Sequence, residues 1–268
     1  MNDSSVTLSG GREVSYTDSG DPNGPCLFFF PGAPQSRLRI LMLENEFAAQ
    51  GLRVISPDRP GYGKSTPQRG RSMADWPVDV AAVADTLGIE RFAVSGHSSG
   101  GPYAVACGAL LPDRVSAGAV VAGVTDMAWA GAWDGYPEFE VPMMRLPDED
   151  AAIKWCAEHF GDDGRALIEE FGLTEGDPRH TAMVEAFRQG VVGYGQDIFV
   201  QGRGWPFDPG RIAVPFDVVH GEVDDFMPVA HSRHSAELIP GSSFRLLPKH
   251  DHFTVLSELP TIAAALMR

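Results

Sequence analysis

The chain has 268 residues, with 21 Lys+Arg against 36 Asp+Glu and a formal charge of −15 at neutral pH. This acidity favours solubility and disfavours non-specific association with DNA, RNA or an anionic membrane surface. No apolar run is long enough to span a bilayer, no signal-like basic region and apolar core opens the chain, and the three cysteines form neither an even disulfide framework nor a metal-ligand pattern. A soluble, cytoplasmic protein with no nucleic-acid or membrane partner is expected, with Cys26 and Cys107 as small core residues.

Residues 6–8 and 13–17 read as short opening strands on either side of Ser9-Gly10-Gly11. The continuous apolar run 26–30 has the pattern of a strand covered on both faces. Pro31-Gly32-Ala33-Pro34 ends it, and Ser36 is placed to cap a helix containing Leu38, Leu41, Leu43, Phe47 and Ala48. A strand at 53–56 runs into Pro57-Asp58-Arg59-Pro60-Gly61-Tyr62-Gly63, a rigid turn. An amphipathic helix over 76–87 with Gly88 at its stop precedes a strand at 92–95. Gly96-His97-Ser98-Ser99-Gly100 separates that strand from a helix over 101–111. Pro102 is compatible with a helix start, where its missing N–H has no intrahelical acceptor. A strand over 117–122 follows.

Between 125 and 208 the short-strand pattern gives way to helical stretches at 151–160, 164–171 and 180–192, separated by Gly, Pro and acidic residues. This region reads as a helical lid (125–208) inserted into a core made of 1–124 and 209–268. Strands at 214–219 and 244–247 and a helix over 255–267 complete the core. The repeated alternation predicts an α/β fold with a mostly parallel sheet flanked by helices on both faces. No internal repeat is present.

A Gly-x-Ser-x-Gly pentapeptide between a strand and a helix forms a sharp turn that exposes the serine above the sheet, and only small neighbours let the two backbones approach there. Ser98 is therefore the candidate nucleophile. Asp224 follows the strand at 214–219 and is the candidate acid, with Asp225 and Asp126 as competitors. His252 follows the last strand and is the candidate base, with His250 as its rival; His97 is expected to pack or hydrogen-bond behind the elbow. The order Ser98…Asp224…His252 is that of nucleophile, acid and base in one known hydrolase fold. His220, His231 and His234 do not form a convincing metal set. Trp129, Trp133, Tyr136 and Phe139 line a substrate pocket or attach the inserted segment to the core, and Met143, Met144, Phe199, Trp205 and Phe226 are further pocket candidates. Such a pocket suits a small molecule with an apolar portion.

These motifs resemble the serine-nucleophile, lid-containing branch of the α/β-hydrolase superfamily over nearly the whole chain. Gly221-Glu222-Val223-Asp224 with Pro228 resembles its acid loop, Asp251-His252-Phe253 its terminal histidine segment, and Pro57–Ser65 a loop common there. The resemblance implies an eight-stranded, mostly parallel sheet and an oxyanion hole made by the backbone N–H groups of Ser99 and Ala33. In related enzymes the loop holding Ala33 commonly begins His-Gly, whereas this chain has Pro31-Gly32. The implied activity needs no cofactor or metal: a serine hydrolase opening a small or medium carboxylic ester or lactone through an acyl-serine. Amide, thioester or carbon–carbon bond hydrolysis, cofactor-free haloperoxidase or perhydrolase activity, and a non-turning-over small-molecule receptor are the alternatives. The resemblance leaves the oligomeric state open.

Overall fold

The computed structural model describes residues 2–268; residue 1, the start of the expected core, lies outside them. The core strands are β1 (Asn2–Thr7), β2 (Glu13–Gly20), β3 (Cys26–Phe30), β4 (Arg53–Pro57), β5 (Phe92–His97) and β6 (Val115–Val121). A short β7 (Arg188–Val191) stands apart from them in the chain's middle region, and β8 (Phe216–Gly221) and β9 (Ser243–Leu247) follow. One eight-stranded sheet runs in the order β1-β2-β4-β3-β5-β6-β8-β9. The β1–β2 and β2–β4 pairs are antiparallel and every other pair is parallel. This is the expected mostly parallel sheet, and its parallel strands all end on one edge.

Alternation along the central strands builds the two sides of the sheet. Phe28 and Phe30 of β3 pack into one apolar cluster with Trp76 and Val80 of α2 (Trp76–Thr86) and Tyr103 of α3 (Gly101–Leu110). Leu27 and Phe29 point the other way, toward Phe47 of α1 (Glu44–Ala49) and Leu259 and Ile262 of α10 (Leu259–Leu266). Because β3 is buried on both faces, it reads in the sequence as an unbroken apolar run; β5 is equally buried and opens on the apolar Phe92-Ala93-Val94. The helix α9 (Val229–Leu238) lies against β8.

Between β6 and β8 the chain adds α4 (Val141–Arg145), α5 (Glu149–Phe160), α6 (Arg165–Glu170), α7 (Pro178–Ala186) and α8 (Val192–Gln201). They share a separate apolar cluster with Tyr62 of the rigid turn and Met227 after β8. Several expected elements change form here and nearby. Ser36 caps a 3-10 turn, Arg37–Leu43, rather than a long helix, and the last expected helix begins as a 3-10 turn, Thr254–Glu258. The helix expected over 180–192 stops at Ala186, gives way to β7, and is followed by the unexpected α8. In α8 two glycines and β-branched residues weaken intrinsic helix propensity, so tertiary packing has to stabilise it. A Cβ on Gly193 would lie 2.6 Å from the Gly61 carbonyl oxygen, so the helix reaches the turn only because that position is bare.

Candidate active site

The loops that leave β3, β5, β8 and β9 meet at the carboxyl edge of the sheet, where a crevice is the usual place for a ligand in an open α/β fold. β5 delivers Ser98 in a left-handed conformation, φ 53°, one of three non-glycine residues of positive φ among the described residues. Close backbone approach makes this turn possible. A Cβ on Gly96 would lie 2.0 Å from the Gly100 carbonyl oxygen, and one on Gly100 would lie 2.1 Å from that of Phe30.

The Ser98 hydroxyl donates to His252 Nε2 at 3.0 Å. His252 Nδ1 donates to Asp224 Oδ2 at 2.9 Å, so the carboxylate fixes the tautomer that leaves Nε2 free to accept. The other carboxylate oxygen of Asp224 accepts the backbone N–H groups of Phe226 and Met227, at 2.9 and 2.8 Å. Burial alone would raise the Asp224 carboxyl, but the hydrogen bond and charge of His252, with the Met227 amide, bring it below the ordinary carboxylate value. The structure thus brings the three sequence-predicted residues into one relay. Asp225 is exposed, Asp126 accepts the amides of Ala128 and Trp205, and His250 faces Glu258, so none of the rivals reaches it.

Two further histidines support the relay. His97 Nε2 donates to the His252 carbonyl at 2.8 Å, as expected of a residue behind the elbow, and burial holds its pKa well below the usual imidazole value. His220 is buried beneath the acid loop, 3.3 Å from Asp224 Oδ2 and 3.0 Å from the Met227 carbonyl. His231 accepts the Thr125 N–H and donates to the Ala132 carbonyl, while His234 stacks on Trp129. Among the described residues no cluster suited to a metal ion is present.

Ala33 shares the cavity at Ser98 with Gly32, while Ser99 is buried at the start of the following turn. In place of a histidine in this loop, a buried guanidinium from the rigid turn holds it: Arg59 donates to the carbonyls of Pro31 and Gly32. Arg59 is in turn paired at 2.9 Å with Asp197 of α8, which also takes Arg71 at 2.8 Å and the hydroxyls of Tyr62 and Tyr103. Burial would raise the Asp197 carboxyl, but the two guanidiniums hold it below the ordinary value. This buried network ties the inserted segment to the loop under Ser98.

The cavity walls differ from the expected ones. Phe226 is the one predicted pocket residue that lines the space at Ser98; its neighbours there are Phe171, Leu173, Arg179 and Met183 from the inserted segment, with Gln35, Arg39 and Phe253 from the core. Trp133, Tyr136 and Phe139 instead border an open surface groove, and Phe139 also packs one layer behind the cavity on Phe171 and Phe226. Met143 and Met144 are buried among the inserted helices, Trp205 stacks on Phe207, Trp129 stacks on His234, and the Phe199 ring carries Arg203. Of these, Trp129, Phe199 and Trp205 press the insert against the core, whereas Met143 and Met144 pack the inserted helices on one another.

The sheet order, with a serine at the turn after the central strand, is that of the α/β-hydrolase fold, and a family model of the alpha/beta hydrolase fold matches residues 25–145. The chain is 27% identical to a bifunctional esterase/perhydrolase of Acinetobacter calcoaceticus, across 96% of this chain and 95% of that protein. It is 26% identical to a non-heme haloperoxidase of Rhodococcus erythropolis, across 98% and 97%. The enol-lactonase from Burkholderia xenovorans has the same fold, with a TM-score of 0.74 at 21% identity and 98% coverage of each chain. No helix among the described residues is long and apolar enough to cross a membrane.

Proposed function

We propose that the chain is a serine hydrolase that opens a small or medium carboxylic ester or lactone through an acyl-serine intermediate. The observation that carries this is the continuous relay from the Ser98 hydroxyl through His252 to Asp224. His252 Nε2 takes the hydroxyl proton as Ser98 Oγ attacks the carbonyl carbon, and Asp224 stabilises the imidazolium that forms. The N–H groups of Ala33 and Ser99 receive the developing oxyanion, and a donor of this kind is worth roughly 3–4 kcal/mol in the transition state. The imidazolium then protonates the leaving alkoxide. A water, deprotonated by His252, releases the acid and restores the serine. The segment 125–208 acts as the lid, supplying the apolar wall of Phe171, Leu173 and Met183. A cytoplasmic setting suits the three buried, unpaired thiols.

The test is mass spectrometry after treatment with a fluorophosphonate, alongside turnover of 4-nitrophenyl butyrate, for the wild type and Ser98→Ala. We expect a single adduct on Ser98 and a turnover loss of roughly four orders of magnitude or more in the folded variant. Undiminished turnover by folded Ser98→Ala overturns the mechanism. Hydrogen peroxide in place of water as acyl acceptor, giving a peracid, is the second reading. It is favoured by the near full-length match to an esterase/perhydrolase.

A further inference from the structure

Four arginines are buried among the described residues: Arg37, Arg39, Arg59 and Arg71. Three are ion-paired with carboxylates at short range. Arg37 meets Asp58 at 2.6 Å and Glu185 at 2.8 Å, and Arg59 and Arg71 share Asp197. Arg39 is the exception. It is 4% exposed, yet the one side-chain hydrogen bond its guanidinium makes is to the thioether of Met42, a weak acceptor that carries no charge. A buried guanidinium with no anionic partner is expensive, and the rule elsewhere in this chain is to pair it.

The position of Arg39 gives the missing charge a place. It lies on the 3-10 turn that continues from the Ala33 loop, and it lines the same cavity as Ser98, His252 and Phe171. Arg179 stands on that cavity too, but its guanidinium is already engaged by both oxygens of Asp177, at 3.0 and 2.6 Å to Oδ2 and 3.1 Å to Oδ1. Asp177 therefore spends its charge on Arg179 and makes neither a hydrogen bond nor an ion pair with Arg39. Burial, with the charge of Arg179 added and that of Asp177 opposing, lowers Arg39 to about 10, so it remains a cation at neutral pH.

We propose that Arg39 anchors a carboxylate of the substrate, so that the ester or lactone taken by this site carries a second, ionised carboxyl group. The inference rests on the serine-hydrolase reading of the same cavity. A planar guanidinium matches a carboxylate through two parallel N–H···O bonds, which fixes the orientation of the scissile carbonyl as well as adding affinity. Around that contact, Phe171, Leu173 and Met183 cover the hydrocarbon between the two ends of the molecule.

The test pairs acyl chains that differ only in charge: mono-4-nitrophenyl esters of succinic, glutaric and adipic acid against neutral 4-nitrophenyl alkanoates of matched length. For the wild type, kcat/KM for the best anionic ester should exceed that of its neutral match by about 10- to 100-fold, the range of a charged hydrogen bond. That ratio should collapse toward unity in Arg39→Met, chiefly through KM, and be partly restored in Arg39→Lys. In the double variant Asp177→Asn/Arg179→Met, which removes their ion pair without freeing a carboxylate beside Arg39, the preference should persist. A separate arm uses folded Ser98→Ala and calorimetry with monomethyl glutarate and methyl pentanoate, so that binding is read without turnover. Tighter, salt-sensitive binding of the anion supports the assignment even if Arg39→Met does not fold. Equal binding of the two probes, or loss of the preference in the Asp177→Asn/Arg179→Met double variant instead, overturns it. Anion-selective binding without Ser98-dependent turnover removes the hydrolase reading alone, whereas Ser98-dependent turnover without anionic preference removes the anchor alone.

Discussion

Asp197→Asn is the substitution that most directly tests how the insert is joined to the reacting edge. Asp197 is fully buried and ion-paired with two guanidiniums, Arg59 at 2.9 Å and Arg71 at 2.8 Å. The asparagine has the same shape, but its amide N–H₂ must face one of the two cations, leaving two donors opposed and two charges uncompensated. Removing one partner of a buried pair costs about 3–5 kcal/mol. A domain of this size shifts by roughly 2–4 °C per kcal/mol, so the variant should melt about 10 °C below the wild type. The same loss should appear in urea unfolding followed by tryptophan fluorescence, as a lower midpoint at an unchanged slope. Acid titration adds a second reading. The Asp197 pKa is depressed in the folded state, so its contribution is present above the ordinary carboxylate value and is lost as pH falls through the folded one. The variant should lack that acid-side component. Fluorophosphonate labelling of Ser98 should also slow, because Arg59 loses the partner that holds it against the Pro31 and Gly32 carbonyls. Melting within about 2 °C of the wild type, with an unchanged acid profile, would refute this account of the network.

Asp224→Asn should lower kcat by roughly 10³–10⁴ with folding intact. The Phe226 and Met227 amides will claim the asparagine oxygen, turning its N–H₂ toward His252 Nδ1 and forcing the ring proton onto Nε2, where it can no longer accept from Ser98. A rate within tenfold of the wild type contradicts that tautomer argument. Glu140 is buried between the hydroxyls of Tyr136 and Tyr194, and burial pushes its carboxyl up to about 7. Its folded pKa is raised, so its contribution is fully present below the unfolded value and fades as pH rises through about 7. Melting curves from pH 5 to 8 should show a decline on the order of 3 kcal/mol that Glu140→Gln removes; parallel profiles for the two proteins count against it.

The sheet was legible because its central strands are buried on both faces and appear as apolar runs such as Cys26–Phe30. The meeting of Ser98, Asp224 and His252 was legible for a related reason. Each lies within a few residues of a strand end, and parallel strands bring their ends to one edge. The cavity wall follows no such rule. Phe171 and Met183 reach Ser98 only through the packing of the inserted helices on one another, which no local pattern in the chain records. Aromatic abundance pointed instead to Trp129, which stacks on His234 of the core, and to Trp133, which borders an open groove. Arg39 looked like any polar residue on an amphipathic turn; its burial and lack of a carboxylate are tertiary facts. Helix α8 was missed because Gly193 and Gly195 argue against a helix locally while permitting close packing at Gly61 and Ile153.

The two kinds of residue around Ser98 come from separate parts of the chain. The groups that would break and make bonds are held by strand ends and by the Arg59–Asp197 clamp, whereas most of those that touch the rest of a bound molecule stand on the insert or on the turn at Arg37–Leu43. Substitutions at positions 171, 173 and 183 are therefore expected to change what fits while leaving the Ser98–His252–Asp224 hydrogen bonds in place. Most of the wall and the relay thus rest on different elements of one scaffold.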